Sequence, residues 1–265
     1  MIHPTAIIDP HAELDSTVRV GPYAVVERDV RIGAQSEIAA HAVVSGPTTL
    51  GSGNHISSFA NIGADPQDLK FQGERTELTV GDNNRFREYV SVHRGTSSGR
   101  GVTTIGNNNL FMAYAHVAHD CIIGNHVILA NAATLGGHVD IGDKATLGGL
   151  VAVHQFTRIG AYSYIGGMSG ISKDIPPFII VAGIRNRMRV TGINKIGLQR
   201  NGFDEDSIKK LHKAFKIIFR TPDLLLEEAL AKTLAEIPDC DPVNHLVEFF
   251  RTAPRPVVRT SGNGQ

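Results

Sequence analysis

The segment AHVAHDCIIGNH, residues 115–126, concentrates chemistry that is sparse elsewhere in the 265-residue chain. It holds His116, His119 and His126 together with Asp120. Histidine changes its charge near neutral pH, so it can act as a general base or bind a metal ion, and a neighbouring carboxylate can orient its ring. The segment therefore predicts either an acid–base site or a metal site, and the scaffold around it has to discriminate between them.

A six-residue repeat of aliphatic residues and phenylalanines runs through most of the chain. It starts at Ile2, is unbroken to Ile62, returns at Val80, and continues after a shift from Ile105 to Ile171. A period of six is neither the 3.6 of a helix nor the alternation of a simple strand. It predicts short strands joined by regular turns, with the repeated residue pointing into a shared interior.

This repeat resembles that of the hexapeptide-repeat acyltransferases, a family whose chains wind into left-handed parallel β-helices with three hexapeptides in each coil. The handedness comes from the resemblance, because a left-handed crossover departs from the usual right-handed rule. The implied fold is mostly β, with a coil of 18 residues. Residues 18 apart then lie one strand spacing apart, roughly 4.8 Å.

Two polar stretches, residues 63–77 and 94–104, interrupt the repeat. In a rigid solenoid such interruptions become loops that leave the wall, and loops on rigid scaffolds often carry binding residues. We expect these two loops to cover a site; a tolerated surface insertion is the alternative.

The sequence changes character after Ile171, where Pro176 and Pro177 end the repeat. From Asp204, a plausible N-cap, the apolar residues fall on one face of a helix, and two further helices follow. We therefore predict a left-handed β-helix over residues 1–185 and a C-terminal α-helical domain over residues 190–265.

The amino-acid composition limits which kinds of partner and which cellular compartment we expect for the protein. Lys plus Arg and Asp plus Glu both total 26, so no overall basic field indicates nucleic acid. Only Cys121 and Cys240 occur, and the N-terminus lacks the order of a secretory signal. No apolar run is long enough to span a membrane. We expect a cytoplasmic protein.

Coil stacking brings glycine next to histidine. His119 stacks with Gly137, and Asp120 stacks with His138, because each pair is 18 residues apart. A glycine leaves space and an exposed N–H beside the imidazole, which suits acyl transfer by a histidine base with a backbone oxyanion donor. Asp120 has two candidate partners: His138 by stacking, or His119 if turn geometry allows it.

Two other classes of function compete with acyl transfer. A metal-dependent hydratase, like the carbonic anhydrases of related hexapeptide folds, would use His116, His119 and His138, although the His-x-x-His spacing differs from theirs. A solenoid used only for assembly would give no reason for Gly137 beside His119. We expect no metal and no cofactor.

Longer motifs sharpen the resemblance. DPQDLKFQGE, SVHRGT, VHQFTRIGA and GGMSG, together with the histidine segment, resemble the UDP-sugar acyltransferases of the hexapeptide-repeat family over almost the whole chain. The resemblance implies transfer of a 3-hydroxyacyl group from acyl carrier protein to the glucosamine 3-hydroxyl of UDP-N-acetylglucosamine, the first step of lipid A biosynthesis. It also implies a homotrimer with its sites between subunits.

Residue roles follow from the same resemblance. His119 matches the general base, Asp120 its orienting partner, Gly137 the oxyanion donor, and Gly167 the position that limits acyl length. A glycine at this last position favours a long acyl chain. The substrate-binding positions that the resemblance implies are Gln67, Asp68, Lys70, His116, His138, His154, Gln155, Asn194 and Arg200.

The chain departs from the family where the nucleotide should bind. Ile196 stands in the place of an acidic residue, and Asn201 in the place of a second arginine. Arg185, Arg187 and Arg189 are candidates to replace the missing charge. The departures leave a 3-amino UDP-sugar open as the acceptor.

Overall fold

The computed structural model describes residues 1–184 and 187–259, in which 27 strands and four helices follow one another. The strands form three parallel sheets that the chain visits in turn. The first sheet contains β1 (Ile7–Ile8), β4 (Val25–Val26), β7 (Val43–Val44), β10 (Asn61–Ala64), β13 (Ser91–His93), β16 (His116–Val117), β19 (Thr134–Leu135), β22 (Ala152–Val153) and β25 (Gly170–Ile171).

The second sheet contains β2 (Glu13–Leu14), β5 (Val30–Ile32), β8 (Thr48–Leu50), β11 (Glu77–Val80), β14 (Val102–Ile105), β17 (Ile122–Ile123), β20 (Asp140–Ile141) and β23 (Arg158–Ile159). The third sheet contains β3 (Arg19–Val20), β6 (Glu37–Ile38), β9 (His55–Ile56), β12 (Arg85–Phe86), β15 (Leu110–Phe111), β18 (Ile128–Leu129), β21 (Thr146–Leu147), β24 (Tyr164–Ile165), β26 (Ile179–Ala182) and β27 (Arg189–Ile193). Only β27 joins its neighbour in the antiparallel sense among these strands.

The predicted left-handed parallel β-helix is confirmed. Uninterrupted coils pair residues 18 apart, as in Ile128 with Thr146 and Leu129 with Leu147. The repeated aliphatic residues fill the interior, and from Val20 onward they are buried. Ile2, at the N-terminal end of the repeat, is 53% exposed.

Each coil turns at three corners, and most of the turns hold a residue in the left-handed backbone region. In one coil these residues are Tyr114, Asp120 and His126, with φ of 65°, 59° and 55°. We call the turns from the first to the second sheet the histidine corner; its left-handed positions include Asp120, His138 and Phe156. The turns from the third to the first sheet form the aromatic corner, with Tyr23, His41, Phe59, Tyr89 and Tyr114 at these positions.

Two long loops leave the wall at the histidine corner. The first loop, residues 65–76, joins β10 to β11, and the second loop, residues 94–101, joins β13 to β14. Both are shorter than the interruptions in the sequence repeat, because the residues at their ends still form strand hydrogen bonds. The loops therefore approach the same edge that carries Asp120.

The C-terminal helices are α1 (Lys195–Arg200), α2 (Glu205–Arg220), α3 (Leu226–Glu236) and α4 (Asp241–Thr252). Asp204 caps α2 as predicted, its side chain accepting a bond from the N–H of Ser207 at 2.8 Å. The helix α4 contacts the coil through Arg158, whose guanidinium lies 4.6 Å from the Phe249 ring centre. No helix in residues 1–184 and 187–259 is long and apolar enough to cross a membrane.

Candidate active site

His119 and Asp120 form a hydrogen-bonded pair in the turn between β16 and β17. The Nδ1 atom of His119 lies 2.9 Å from Oδ2 of Asp120. Neighbouring side chains of an extended strand point to opposite faces, so this contact depends on the left-handed backbone of Asp120. His138, on the next coil, has its Nε2 atom 3.8 Å from the same oxygen. Of the two partners that the sequence left open, His119 is the closer.

The second loop surrounds the Asp120 carboxylate with donors. Oδ2 accepts bonds from the N–H of Thr96 at 3.1 Å and from its hydroxyl at 2.6 Å, and Oδ1 accepts from the N–H of Arg100 at 2.8 Å. Burial opposes ionisation of this carboxyl, but the bonds it accepts outweigh burial and lower its pKa. An ionised carboxylate only accepts, so His119 carries its proton on Nδ1 and keeps Nε2 as a base.

Gly137 lies directly against the His119 ring, as coil stacking predicted. A Cβ atom at this glycine would lie 2.5 Å from Cε1 and 2.7 Å from Nε2 of His119. Within the described part of the chain, the Gly137 N–H has no backbone acceptor. A free amide beside the basic nitrogen can bind an oxygen that becomes negative during a reaction.

His138 and His116 flank the pair. The His138 ring meets the His119 ring edge-on at a centroid distance of 5.1 Å and stacks on the half-exposed ring of Phe156 at 4.4 Å. Nδ1 of His116 lies 2.7 Å from the hydroxyl oxygen of Ser91. Burial lowers the pKa of both flanking histidines, so their rings are neutral at pH 7 and can each donate and accept a hydrogen bond.

His93 and Arg94, which the sequence analysis did not assign to the site, lie next to this row. His93 is 5% exposed, and its ring meets the His116 ring edge-on at 5.0 Å. Arg94 is buried, donates to the carbonyl of Gly63 at 2.6 Å, and pairs with Asp65 at the start of the first loop. In the sequence, only the motif SVHRGT could have indicated that these two residues belong to the site, because both fall where the repeat breaks.

The first loop presents its predicted binding residues near the histidine corner. Gln67 and Lys70 are exposed, and Asp68 is half-buried. The Asp68 carboxylate accepts a bond from the N–H of Lys70 at 3.0 Å and is close enough to His138 to favour its protonated form. The Asp68 carboxylate is thus available beside His138.

His154 and Gln155 continue the histidine corner one coil beyond Gly137. Both side chains are exposed. The Gln155 carbonyl accepts a bond from Arg255 at 2.6 Å and lies 3.0 Å from Nδ1 of His154. The histidine corner therefore brings together most of the predicted site residues.

Asn194 and Arg200 lie at α1, on a different face. The Asn194 side chain caps this helix, accepting from the N–H of Gly197 at 3.1 Å and donating to the carbonyl of Tyr162 at 2.9 Å. Arg200 and Ile196 line a groove of about 610 Å³ that α1 forms with the outer side of the third sheet; this is the α1 groove. An exposed isoleucine there gives the groove apolar character where the resemblance implied an acidic residue.

Two of the three arginines considered as replacements do not line this groove. Arg187 and Arg189 are exposed, and neither lines it. Arg185 lies outside the described residues.

Gly167 lies in a turn of the aromatic corner, next to Met168, which is 74% exposed. A Cβ atom at this glycine would meet only backbone atoms of Gly149, the nearest at 3.2 Å. In one chain, Gly167 and the α1 groove are therefore separate from the His119 turn.

One group in the described residues could hold a metal ion, formed by His119, Asp120 and His138 with ligand atoms within 4.8 Å of one another. His116, expected in a three-histidine site, is not part of it. The Asp120 oxygens already accept bonds from the second loop. This group differs from the three-histidine set.

Cys121 supplies no alternative nucleophile next to this pair. Burial raises the pKa of its thiol to about 12, so the reactive thiolate is absent at neutral pH. Its side chain is completely buried and fills space in the core as a small apolar residue.

A histidine oriented by a carboxylate, with a free amide beside it on a parallel β-helix, defines a hexapeptide-repeat acyltransferase. Two family models match the chain. Residues 103–137 match the bacterial transferase hexapeptide repeats, and residues 174–258 match domain 2 of UDP-N-acetylglucosamine O-acyltransferase.

Relatives extend the match to almost the full length. The acyl-[acyl-carrier-protein]–UDP-N-acetylglucosamine O-acyltransferase of Saccharophagus degradans is 50% identical over 97% of this chain and 99% of its own. That of a Janthinobacterium strain is 49% identical over 98% and 99%. The chain belongs to the UDP-N-acetylglucosamine O-acyltransferase family.

Solved structures agree with this assignment. The UDP-N-acetylglucosamine O-acyltransferase of Moraxella catarrhalis superposes with a TM-score of 0.92 at 40% identity, covering 97% of this chain and 99% of that one. The UDP-N-acetylglucosamine acyltransferase of Bacteroides fragilis gives 0.94 at 42% identity, covering 98% and 100%.

Proposed function

We propose that the protein transfers a 3-hydroxyacyl group from acyl carrier protein to the 3-hydroxyl of glucosamine in UDP-N-acetylglucosamine, the first step of lipid A biosynthesis. The names of its relatives supply the donor and acceptor classes. The observation that carries the proposal is the free Nε2 of His119 beside the N–H of Gly137.

The reaction needs one base and no covalent acyl-enzyme. Nε2 of His119 takes the proton from the sugar 3-hydroxyl as its oxygen attacks the thioester carbonyl carbon. The Gly137 N–H stabilises the oxyanion that forms, and Asp120 stabilises the imidazolium. Collapse of the intermediate breaks the C–S bond, and His119 returns the proton to the departing thiolate of the carrier protein.

The other predicted residues act by binding. Asp68, Lys70 and Gln67 on the first loop, with His116 and His138, surround the sugar hydroxyl and its neighbours. Lys70 suits a phosphate or the acyl hydroxyl, because it is an exposed cation on a flexible stem. His154 and Gln155 extend the cleft along the corner for the donor. Asn194 and Arg200 contribute to nucleotide binding from the α1 groove.

We further propose that the enzyme is a cytoplasmic homotrimer with its active sites between subunits. The predicted acyl-length position Gly167 and the α1 groove are separate from His119 within one chain. The aromatic corner adds support, because its exposed rings stack at centroid spacings of 4.9–5.2 Å and present an apolar strip to solvent. A neighbouring subunit would cover that strip.

The hydroxyl acceptor is favoured over a 3-amino sugar, because the relatives are named as O-acyltransferases. The same names do not favour the hydratase alternative.

Product mass tests the proposal directly. We expect the purified protein to convert UDP-N-acetylglucosamine and 3-hydroxyacyl carrier protein into a monoacylated UDP-sugar that releases its acyl chain on mild alkaline treatment, as an ester does. An alkali-stable product that forms only from a 3-amino UDP-sugar would mean that the acceptor is the amino sugar and that the enzyme makes an amide. Absence of any acylated sugar with either acceptor would overturn the function.

The same assay tests the acyl-length role of Gly167. With a series of carrier proteins, we expect long 3-hydroxyacyl chains to be preferred over ten-carbon chains. In Gly167→Met the preference should shift to shorter chains, because added bulk shortens the space for the acyl tail. A wild-type enzyme that used only ten-carbon donors would contradict the proposed role.

A further inference from the structure

The second loop, which no predicted site residue occupies, makes closer contact with the Asp120 carboxylate than any other element does. Thr96 contributes both its N–H and its hydroxyl to Oδ2, at 3.1 and 2.6 Å. The oxygen that binds Thr96 is the one that binds Nδ1 of His119. The side chain of Thr96 is buried, so water does not compete for this bond.

We propose that Thr96 is a positioning residue of the acyl-transfer site, and that its hydroxyl holds Asp120 in the orientation that keeps the proton of His119 on Nδ1. This inference rests on the proposed function. Among the described residues Thr96 has no hydrogen bond to His119, and it acts through the Asp120 carboxylate.

The backbone of the same loop passes very close to this carboxylate. A Cβ atom at Gly99 would lie 2.4 Å from Oδ2 and 2.5 Å from Cγ of Asp120, so only glycine allows the loop to pass over it. The N–H of Arg100 closes the other side by donating to Oδ1 at 2.8 Å. Without these donors, the Asp120 carboxylate would be free to rotate and to accept a hydrogen bond from His138 in place of His119. The Nε2 atom of His138 lies only 3.8 Å from Oδ2.

The hydroxyl also sets how strongly Asp120 attracts a proton on His119. A carboxylate that accepts a strong bond has part of its charge neutralised, so it stabilises the imidazolium less. The other titratable groups near the pair are His116 on β16, His138 on the next coil, Asp68 on the first loop, His93 on β13, and the neutral thiol of Cys121. None of these would change when the Thr96 hydroxyl is removed.

The test compares Thr96→Val, which keeps the shape of the side chain, with Thr96→Ser, which restores the hydroxyl. We expect Thr96→Val to lower kcat by roughly tenfold with KM little changed, because a hydrogen bond to a charged group is lost. The acid limb of the kcat/KM profile should move to higher pH, because Asp120 then favours the imidazolium more. Thr96→Ser should restore both values.

Ser97→Ala is the matched control. It removes a hydroxyl from the same loop, but this hydroxyl donates to Glu74 of the first loop at 3.0 Å and does not contact Asp120. We expect its kcat and its acid-limb midpoint to equal those of the wild type. A shift as large as that of Thr96→Val would mean that any disturbance of the loop has this effect, and it would overturn the specific role of Thr96.

An NMR titration of the His119 ring in wild type and Thr96→Val separates this inference from the proposed function. If the wild type makes no acylated sugar, the function fails, and the titration alone decides the role of Thr96. A higher midpoint in Thr96→Val would support the role, because the charge of Asp120 is then less neutralised and stabilises the imidazolium more. Identical titrations, or identical kinetics in an active enzyme, would overturn it, and circular dichroism would identify a variant that fails to fold, for which Thr96→Ala would take its place.

Discussion

The aromatic corner and the histidine corner are built from the same turn but carry different chemistry. Tyr114 and Asp120 are six residues apart in one coil and share the same left-handed backbone, with φ of 65° and 59°. At the aromatic corner this position holds rings that stack on one another along the coil axis. At the histidine corner it holds a carboxylate and an imidazole that face His119.

The difference arises from what surrounds the turn. Both long loops leave the coil at the histidine corner, and the second loop supplies donors that an uninterrupted coil lacks. A glycine on the neighbouring coil, Gly137, removes the side chain that would displace His119. The repeat therefore determines where each corner residue lies. The two loops and the absence of a side chain at Gly137 are what distinguish the histidine corner chemically.

The largest expected effect comes from removing the base. We expect His119→Ala to lower kcat/KM by about 10²- to 10⁴-fold, the range of a general base, with little change in the free energy of unfolding. His126→Ala is the matched control, because His126 occupies the left-handed position of the third corner of the same coil and is exposed. Steady-state kinetics of both variants check this.

Comparable losses in His119→Ala and His126→Ala would show that histidine at any corner supports the fold. The contrast between the corners would then have no catalytic meaning.

The next largest effect is expected when a side chain is added at Gly137. In Gly137→Ala the new methyl group would lie within van der Waals overlap of Cε1 and Nε2 of His119, so the ring must turn away from its catalytic position. We expect kcat to fall by roughly 10²-fold, since small displacements of a catalytic group cost about that much.

Gly170→Ala controls for adding a methyl group to the coil. Its Cβ would meet only Ile184, at an ordinary contact distance of 3.5 Å, so near wild-type kcat is expected. Full activity in Gly137→Ala would mean that the His119 ring needs no such space.

A smaller effect is expected at the aromatic corner. Phe59→Ser with Tyr89→Ser removes two stacked rings that are 49% and 48% exposed. If a second subunit covers this strip, the variant should dissociate into smaller species at low concentration and lose roughly tenfold in specific activity, which higher protein concentration restores. Mass photometry and activity as a function of dilution measure both changes.

Leu225→Ser is the control for this variant, because Leu225 is 69% exposed but lies outside both corners. It should remain as associated as the wild type. An unchanged assembly in the Phe59→Ser, Tyr89→Ser variant would separate the aromatic corner from subunit contact.

The sequence predicted the regular part of the molecule because a repeat specifies geometry. The six-residue period placed Val117, Ile123 and Leu129 in the interior, where all three are buried. Stacking at 18 residues placed Gly137 against His119, which the structure confirms. Wherever the coil is uninterrupted, spacing along the chain translates directly into spacing in space.

The irregular part could not be predicted in this way. The contact of Asp120 with His119 depends on a backbone angle at one turn, and stacking alone favoured His138. Thr96 approaches Asp120 through a loop that has no register, so no spacing links them. Asn194 was selected as a binding residue by resemblance, yet its side chain also serves as a helix cap, a role that depends on where α1 begins.

The smallest expected effect concerns stability at acidic pH. Burial, with repulsion from His116 and His119, lowers the pKa of His93 from its ordinary 6.5 to about 4. Between these two values the unfolded chain binds a proton that the folded chain does not, so the free energy of unfolding falls as pH falls. The loss from His93 should be about 1 kcal/mol per pH unit between pH 6 and 5, and the lowered pKa values of His116 and His138 act in the same direction.

Urea unfolding of wild type and His93→Gln, at one protein concentration and at pH 7 and 5, isolates this contribution. The wild type should lose more stability than His93→Gln between the two values, because glutamine has no proton to gain. His126→Gln, at an exposed histidine of another corner, should follow the wild type at both. An equal difference between wild type and His93→Gln at pH 7 and 5 would mean that His93 gains its proton at the same pH in the folded and the unfolded chain, and that burial does not lower its pKa.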